Sequence, residues 1–500
     1  MDRPLRGRVF NWPGKKCCQK RVLCSDETPV HIMAAQGRKS KPRTDKWKEK
    51  AKSRSKEMRL LRMELKRLRS RSEQWKGRFL GLQQGQRKRS VRGHRHDLRL
   101  MWLGIKLRIC CNVSLRAVSQ ALCAVGQMND WCVSYISPST VRNWCLRLGF
   151  YFLKKPLKPG SYVLIADESV AIGKEHLLVL LAVRVDDHSP IRALELGDVE
   201  VFHLQSSQSW RGERIASIVK EKLQGSGVQI AYGLSDGGSN LKNAFRLLKV
   251  KWVGDCTHEI ANCAKKMLSN DDALNDLIKQ MNATRAKWVL GQNSPYLPPT
   301  MRIKCRFHQV FEICKWAEKM LLNWSKLPHE VKAELGYVAK NRELIGLFGQ
   351  LHSLVGLFSG IFKHKGISLH TRQLWQKSCD EWEKEILAKG QVIHRKATFF
   401  KQSLNDYLQR QTEALPDFDQ ILCCSDVIES LFGKYKNKGG CRIISDDILN
   451  IAAYGKNLAQ QDIETALLAT STKDIADWKT DFTIESTLKL KQKIFPKMAA

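Results

Sequence analysis

The spacing of apolar positions changes several times along the 500 residues, and each change predicts a different element. Between about 46 and 84, Met58, Leu61, Leu65, Leu68, Ser72, Trp75, Phe79 and Leu82 step alternately by three and four. That is a heptad seam with one polar fault at Ser72. It predicts a basic coiled-coil helix over 46–90 or, on the plainer reading, a long amphipathic helix docked on its own chain. From 94 to 150 the period is helical without heptads. "SLRAVSQAL" opens on Ser114, a natural helix cap, with Leu115, Val118 and Leu122 as its apolar stripe. "SPSTVRNWCLRLGF" has Ser137 as cap and Pro138 at the first helical position. Val141, Trp144, Cys145 and Leu148 are expected to face inward and Thr140, Arg142, Asn143 and Arg147 outward, with Gly149 as the stop. The outward set suits contact with DNA bases and phosphates. Residues 91–153 are therefore expected to form a helix-turn-helix-like DNA-binding domain, or simply a helical bundle.

After the linker "KKPLKPGS" (154–161) the pattern turns to strands. "YVLIA" (162–166) and "HLLVLLAVRV" (176–185) read as strands, and a third lies within 191–204. Then follow a helix at 212–224, a strand at 228–236, a helix at 239–249, a strand at 250–256 and a helix at 258–268. The order β-β-β-α-β-α-β-α predicts an α/β fold, a mixed five-stranded sheet with helices on both faces. This core is expected over 160–269, interrupted by an all-helical insertion at 270–424 and completed by "DVIESLFGKYKNKGG" within 425–445. The tail, 446–500, reads as helical, then basic and loose. Residues 1–45 lack periodicity and read as a disordered basic arm.

Composition narrows the function. The formal charge is +36, and the first hundred residues hold 31 Lys and Arg against 9 Asp and Glu. Such a field favours polyanions, nucleic acid before anionic membrane. No uninterrupted apolar run reaches the ~18 residues of a membrane span, and the basic N-terminus lacks a secretory apolar segment. Sixteen cysteines in such a chain suggest free thiols in a reducing cytoplasm.

Chemistry enters with the acids. Asp167 follows the first strand, and Asp236 in "YGLSDGGSN" ends the fourth, before glycines that permit a sharp turn. Singly, such an Asp is most often a turn former. A pair at matched strand ends converges on one sheet edge, where the like charges call for a cation. All-oxygen ligation favours Mg²⁺ or Mn²⁺, and two such ions can support phosphodiester cleavage. Glu168 alternates to the other face.

The strand order, with "IADES" on the first strand and "LSDGGS" on the fourth, resembles the RNase H-like core of DDE transposases of bacterial insertion sequences, over roughly 95–445. The resemblance implies a third carboxylate, usually Glu, on a helix after the fifth strand, with a helical insertion before it in several members. "VIESLFGKYK" supplies Glu429, and Lys436 seven positions on matches a DNA-phosphate-contacting Lys. Leu422 and Ser425 stand where that pattern has Tyr and Arg. "GDCTHEIAN" (254–262) resembles the Cys/His segment of the Mutator and hAT groups, with Cys256 and His258. His258 is expected to position DNA or water, or to be a structural histidine; Asp255 and Glu259 compete for the third-acid role. The implied partners are double-stranded DNA, as terminal inverted repeats and target, and a second copy in a homodimer. The alternatives are a catalytically inactive DNA-binding relative and another RNase H-like nuclease. Cys256, His258 and Cys263, or Cys305, His308 and Cys314, lack standard zinc spacing. Trp210, Trp288, Trp316 and Trp324 are expected mainly in the core, with base stacking as the other use.

Overall fold

The computed structural model describes residues 54–55, 57–73, 75, 91–128, 135–170, 175–185, 192–300, 306–437, 444–484 and 494. The chain divides into two compact units, Met1–Arg87 and Lys88–Ala500. In the first unit, residues 57–73 are helical (α1), and the seam residues Met58, Leu61, Leu65 and Leu68 are exposed by 50 to 57%. The expected arm at 1–45, and Phe79 and Leu82 of the seam, lie outside the described residues.

The second unit begins with α2 (Leu98–Ile109), α3 (Leu115–Met128) and α4 (Pro138–Lys154). The expected caps operate: the Ser114 hydroxyl accepts from the Ala117 amide at 3.2 Å and the Ser137 hydroxyl from the Thr140 amide at 3.1 Å. The sheet follows: β1 (Gly160–Val170), β2 (His176–Arg184), β3 (Glu200–Ser207), α5 (Gly212–Leu223), β4 (Val228–Ser235), α6 (Ser239–Leu247), β5 (Trp252–Gly254) and α7 (Cys256–Leu268). Its order is β3-β2-β1-β4-β5. β1, β2 and β3 form an antiparallel meander, while β4 and β5 run parallel to β1, giving the mixed five-stranded sheet of an α/β fold. β3 runs past the expected 191–204 to Ser207, and Asp198 closes a turn ahead of it, accepting from the Glu195 amide and from Arg192.

Both faces of the sheet are covered, which is why its strands read as near-continuous apolar runs. Tyr162, Leu164, Ala166, Leu178 and Leu180 pack with Ile215, Val219, Leu241 and Phe245 of α5 and α6. Val163, Ile165, Leu177, Val179 and Leu181 join the larger core that holds the other helices.

The helical insertion comprises α8 (Asp272–Trp288), α9 (Arg306–Leu322), α10 (His329–Glu334), α11 (Gly336–Lys340), α12 (Arg342–Lys365), α13 (Leu369–Ala388) and α14 (Arg395–Ala414). A short ribbon of β6 (Ile367–Ser368) and β7 (Gln420–Ile421) closes it. α15 (Asp426–Tyr435), a 3₁₀ helix over Asp446–Ala453, α16 (Gln460–Ala469) and α17 (Thr472–Phe482) complete the unit. α12 corrects one expectation: by length and composition it is apolar enough to cross a membrane, one such helix among the described residues. Scattered Gly, Gln, His and Ser hide it from a search for unbroken apolar runs. Its Phe348, Leu351, Phe358 and Phe362 are fully buried in the protein core, against α9, α13 and α14.

α4 brings the largest correction. Val141, Trp144, Cys145 and Leu148 are buried as expected, but the opposite side is partly covered too, because the segment 446–482 folds back over it. Arg142 does not face outward: its guanidinium binds Asp447 at 2.9 Å and Asp446 at 2.7 Å. Arg147 donates to the carbonyls of Leu467 and Thr470. Thr140 is half-buried, and Asn143 alone of the four is exposed. Nor does Gly149 stop the helix, which runs on to Lys154. It is glycine because a Cβ there would overlap the Leu449 carbonyl. Gly149→Ala should therefore destabilise the fold by about 2 kcal/mol, although alanine favours helix by ~1 kcal/mol. Denaturant unfolding checks this; a neutral or stabilising result contradicts the close packing.

Candidate active site at the sheet edge

β1 and β4 are parallel neighbours, and Ala166 pairs with Ser235. The next residue in each segment is an aspartate, so Asp167 and Asp236 follow side by side; β4 ends there, but β1 does not end at Asp167 as expected, because its pairing with β2 carries it on to Val170. Asp167 accepts from the Glu168 amide at 2.7 Å. Asp236 accepts from the Gly238 amide at 2.9 Å, across a turn in which Gly237 takes φ +92°, a value that favours glycine. Glu168 sits opposite Leu178 with its carboxylate 3.8 Å from His176 Nδ1. It still senses the edge, since burial and then the Asp236 charge raise its pKa.

Glu429 lies in the first turn of α15, whose position is fixed by a set of buried hydrogen bonds where the insertion returns to the sheet. Tyr407 Oη donates to the Gly254 carbonyl at 2.7 Å, and the Cys256 amide to the Cys423 carbonyl at 2.8 Å. The Leu422 amide donates to Tyr232 Oη at 2.7 Å. At the centre is Asp255. One of its oxygens accepts from the His258 amide at 2.8 Å and from His258 Nδ1 at 3.0 Å; the other accepts from the Ser425 amide at 2.6 Å and hydroxyl at 2.8 Å. Burial alone would raise its pKa, but the bonds from His258 and Ser425 outweigh it and hold Asp255 ionised. Asp426 adds a clamp, bound by Lys363 at 2.6 Å and by Thr257 at 3.0 Å.

Asp236 and Glu429 both act on Asp167. Burial first, then the Asp236 charge, raise Asp167 to about 7, with Glu429 pushing the same way and His258 opposing. Glu429 is raised by burial and by Asp426. His258 rises to about 9, chiefly through its bond to Asp255, with Asp236 and Glu429 adding to it. At neutral pH the site thus holds an imidazolium within the field of three carboxyl groups. The cluster joins elements as far apart in sequence as β1 and α15.

The competitors for the third acid are otherwise engaged. Glu259 pairs with Arg410 of α14 at 2.9 Å. Asp255 is buried with four hydrogen bonds. Its spacing to His258 is the signal that would have revealed its part: an Asp ahead of a helix bonds the amide three residues on. Lys436 ends α15, exposed, with its ammonium 5.7 Å from the Phe432 ring.

Among the described residues, Asp255, Cys256 and Cys424 are close enough to hold a metal, a grouping the sequence reading missed because Cys424 lies across the insertion. A bond with Cys423 and burial raise the Cys256 thiol against the opposing bond with Cys424, the bond with Cys256 and burial raise Cys424, and the Asp255 oxygens already accept from His258 and Ser425, so this set fits a packed thiol cluster. Cys263 is also raised, by burial, to about 12. The side chains of Cys305, His308 and Cys314 lie outside those described. Trp210 and Trp288 are buried, and Trp316 and Trp324 pack partly buried on the main core.

No protein-family model and no curated protein sequence matches the chain.

Two pH effects follow. Because Asp167 is raised, its contribution to stability is complete below the usual Asp range and is lost as pH rises through about 7. Metal-free protein should lose a few degrees of thermal stability between pH 5 and 8, and Asp167→Asn should flatten that loss in melting curves. His258 is also raised, so its contribution is complete below about 6.5 and disappears as pH rises through about 9. In Asp255→Asn the His258 pKa should fall by at least about one unit, followed by histidine NMR; an unchanged titration removes the Asp255 pairing as its cause.

Proposed function

We propose that the chain is a DNA transposase with an RNase H-like catalytic core, in which Asp167, Asp236 and Glu429 serve phosphodiester cleavage and strand transfer. The observation that carries this reading is the convergence of the three carboxyl groups at one sheet edge, where mutual repulsion and burial push Asp167 to about 7. That strain, with all-oxygen donors, fits two Mg²⁺ or Mn²⁺ ions. When bound, such ions supply Lewis-acid stabilisation of the attacking and leaving oxygens. The layout supports the same reading, with a helical insertion between the fifth strand and the Glu429 helix.

In this proposal the three carboxylates hold the ions, and the protonated His258 presents positive charge toward the scissile phosphate. Lys436 contacts a neighbouring phosphate. Water attack frees a 3′-hydroxyl, which then attacks target DNA. Asn143 and Thr140 remain candidates for DNA contact; Arg142 and Arg147 do not, being bound within the protein. The basic flank of α1, with Arg59, Lys66 and Arg67, suits phosphate contact. The working state is a homodimer on double-stranded DNA, at the element's inverted repeats and the target, in a bacterial cytoplasm.

The test is Mg²⁺-dependent cleavage of duplexes carrying the element's ends. Asp167→Ala, Asp236→Ala and Glu429→Ala should each lower cleavage by about three orders of magnitude while DNA binding persists. Normal cleavage by Asp167→Ala refutes the assignment. Tight DNA binding by the unaltered chain with no cleavage supports an inactive relative instead.

A further inference from the structure

α1 carries charges that select how it pairs. With Met58, Leu65 and Ser72 at heptad position a, and Leu61, Leu68 and Trp75 at d, Glu57 and Glu64 fall at g, and Arg62 and Arg69 at e. Met58, Leu61, Leu65 and Leu68 are each at least half exposed, and Trp75 is 61% exposed. In a parallel, in-register pair, each g residue faces the e residue five positions on in the other chain. Glu57 then meets Arg62 of the second copy, and Glu64 meets Arg69, on both sides of the seam. An antiparallel pair would instead set Arg62 and Arg69 against each other. Of the other basic residues, Arg59, Lys66 and Arg67 fall at b and c, away from the seam, while Arg71 falls at g, where it faces Lys76 of the second copy and opposes pairing against the two oppositely charged pairs on each side.

We infer that α1 docks on α1 of a second copy as a parallel, in-register coiled coil, with partner and direction chosen by the Glu57–Arg62 and Glu64–Arg69 pairs. Both chains then continue from the same end of the pair. The inference deepens the homodimer of the proposed function. Its test reads mass and cross-linking and needs no DNA cleavage, so failure of the pairing and failure of the chemistry are separate results.

Light scattering on the full chain at micromolar concentration should give the mass of two copies. Glu57→Arg with Glu64→Arg makes both of these pairs cationic, and Arg62→Glu with Arg69→Glu makes both anionic. Each doubly substituted chain alone should dimerise at least about tenfold more weakly, and mixing the two should restore a dimer containing one of each. Ser72→Cys should form a disulfide-linked dimer under mild oxidation faster than the unaltered chain, because a residues meet their own copies only in register. Three results overturn the inference: a monomeric unaltered chain, as expected if the seam docks within its own chain; reversed chains that pair as tightly as the original; or a mixture that fails to recover. Cross-linking of Ser72→Cys no faster than the unaltered chain overturns the parallel register.

Discussion

The acidic sheet edge depends on one buried carboxylate. The chain leaves the sheet after β5, builds eight α-helices among the described residues, and must return so that α15 lies beside β1. Asp255 fixes that return by joining the start of α7 to Ser425, 170 residues later, through hydrogen bonds on both its oxygens. A buried carboxylate is tolerated only when fully bonded. Its donors are two groups of His258 and two of Ser425, so the charge that holds the return also holds His258 protonated. Structural closure and a cation at the site come from the same side chain.

The edge itself is strained in the opposite sense. Strand geometry places Asp167 and Asp236 side by side, and α15 adds Glu429, with neither burial nor mutual repulsion relieved within the trio. A fold that keeps such a cluster gives up stability above neutral pH. Sites that oppose folding in this way are where binding and chemistry are expected. The neighbouring acids show the contrast: Glu259 and Asp426 each have a cationic partner, Arg410 and Lys363.

Much was legible in the chain because it rests on local rules. Alternation and turn residues predicted the strands, their order and the placement of Asp167 and Asp236, since strand direction alone decides which ends share an edge. Caps at Ser114 and Ser137 and the buried stripe of α4 were readable because a helix start and a helical face each span only a few residues.

Tertiary structure decided what distant segments do to one another. Whether Arg142 and Arg147 meet solvent depended on the segment 446–482, some three hundred residues away, and its folding over α4 turned a presumed recognition surface into an interior. Gly149 looked like a stop because its real neighbour, the Leu449 backbone, is remote in sequence. The choice among Asp255, Glu259 and Glu429 turned on hydrogen bonds and ion pairs that exist only after the insertion has folded back. By itself the sequence determined which elements form and where β4 ends; the end of β1, at Val170 beyond the acids, was set by its pairing with β2. Only long-range packing and charge pairing decided which acids stay unpaired at that edge, because burial and Coulomb interaction depend on distance in space, not along the chain.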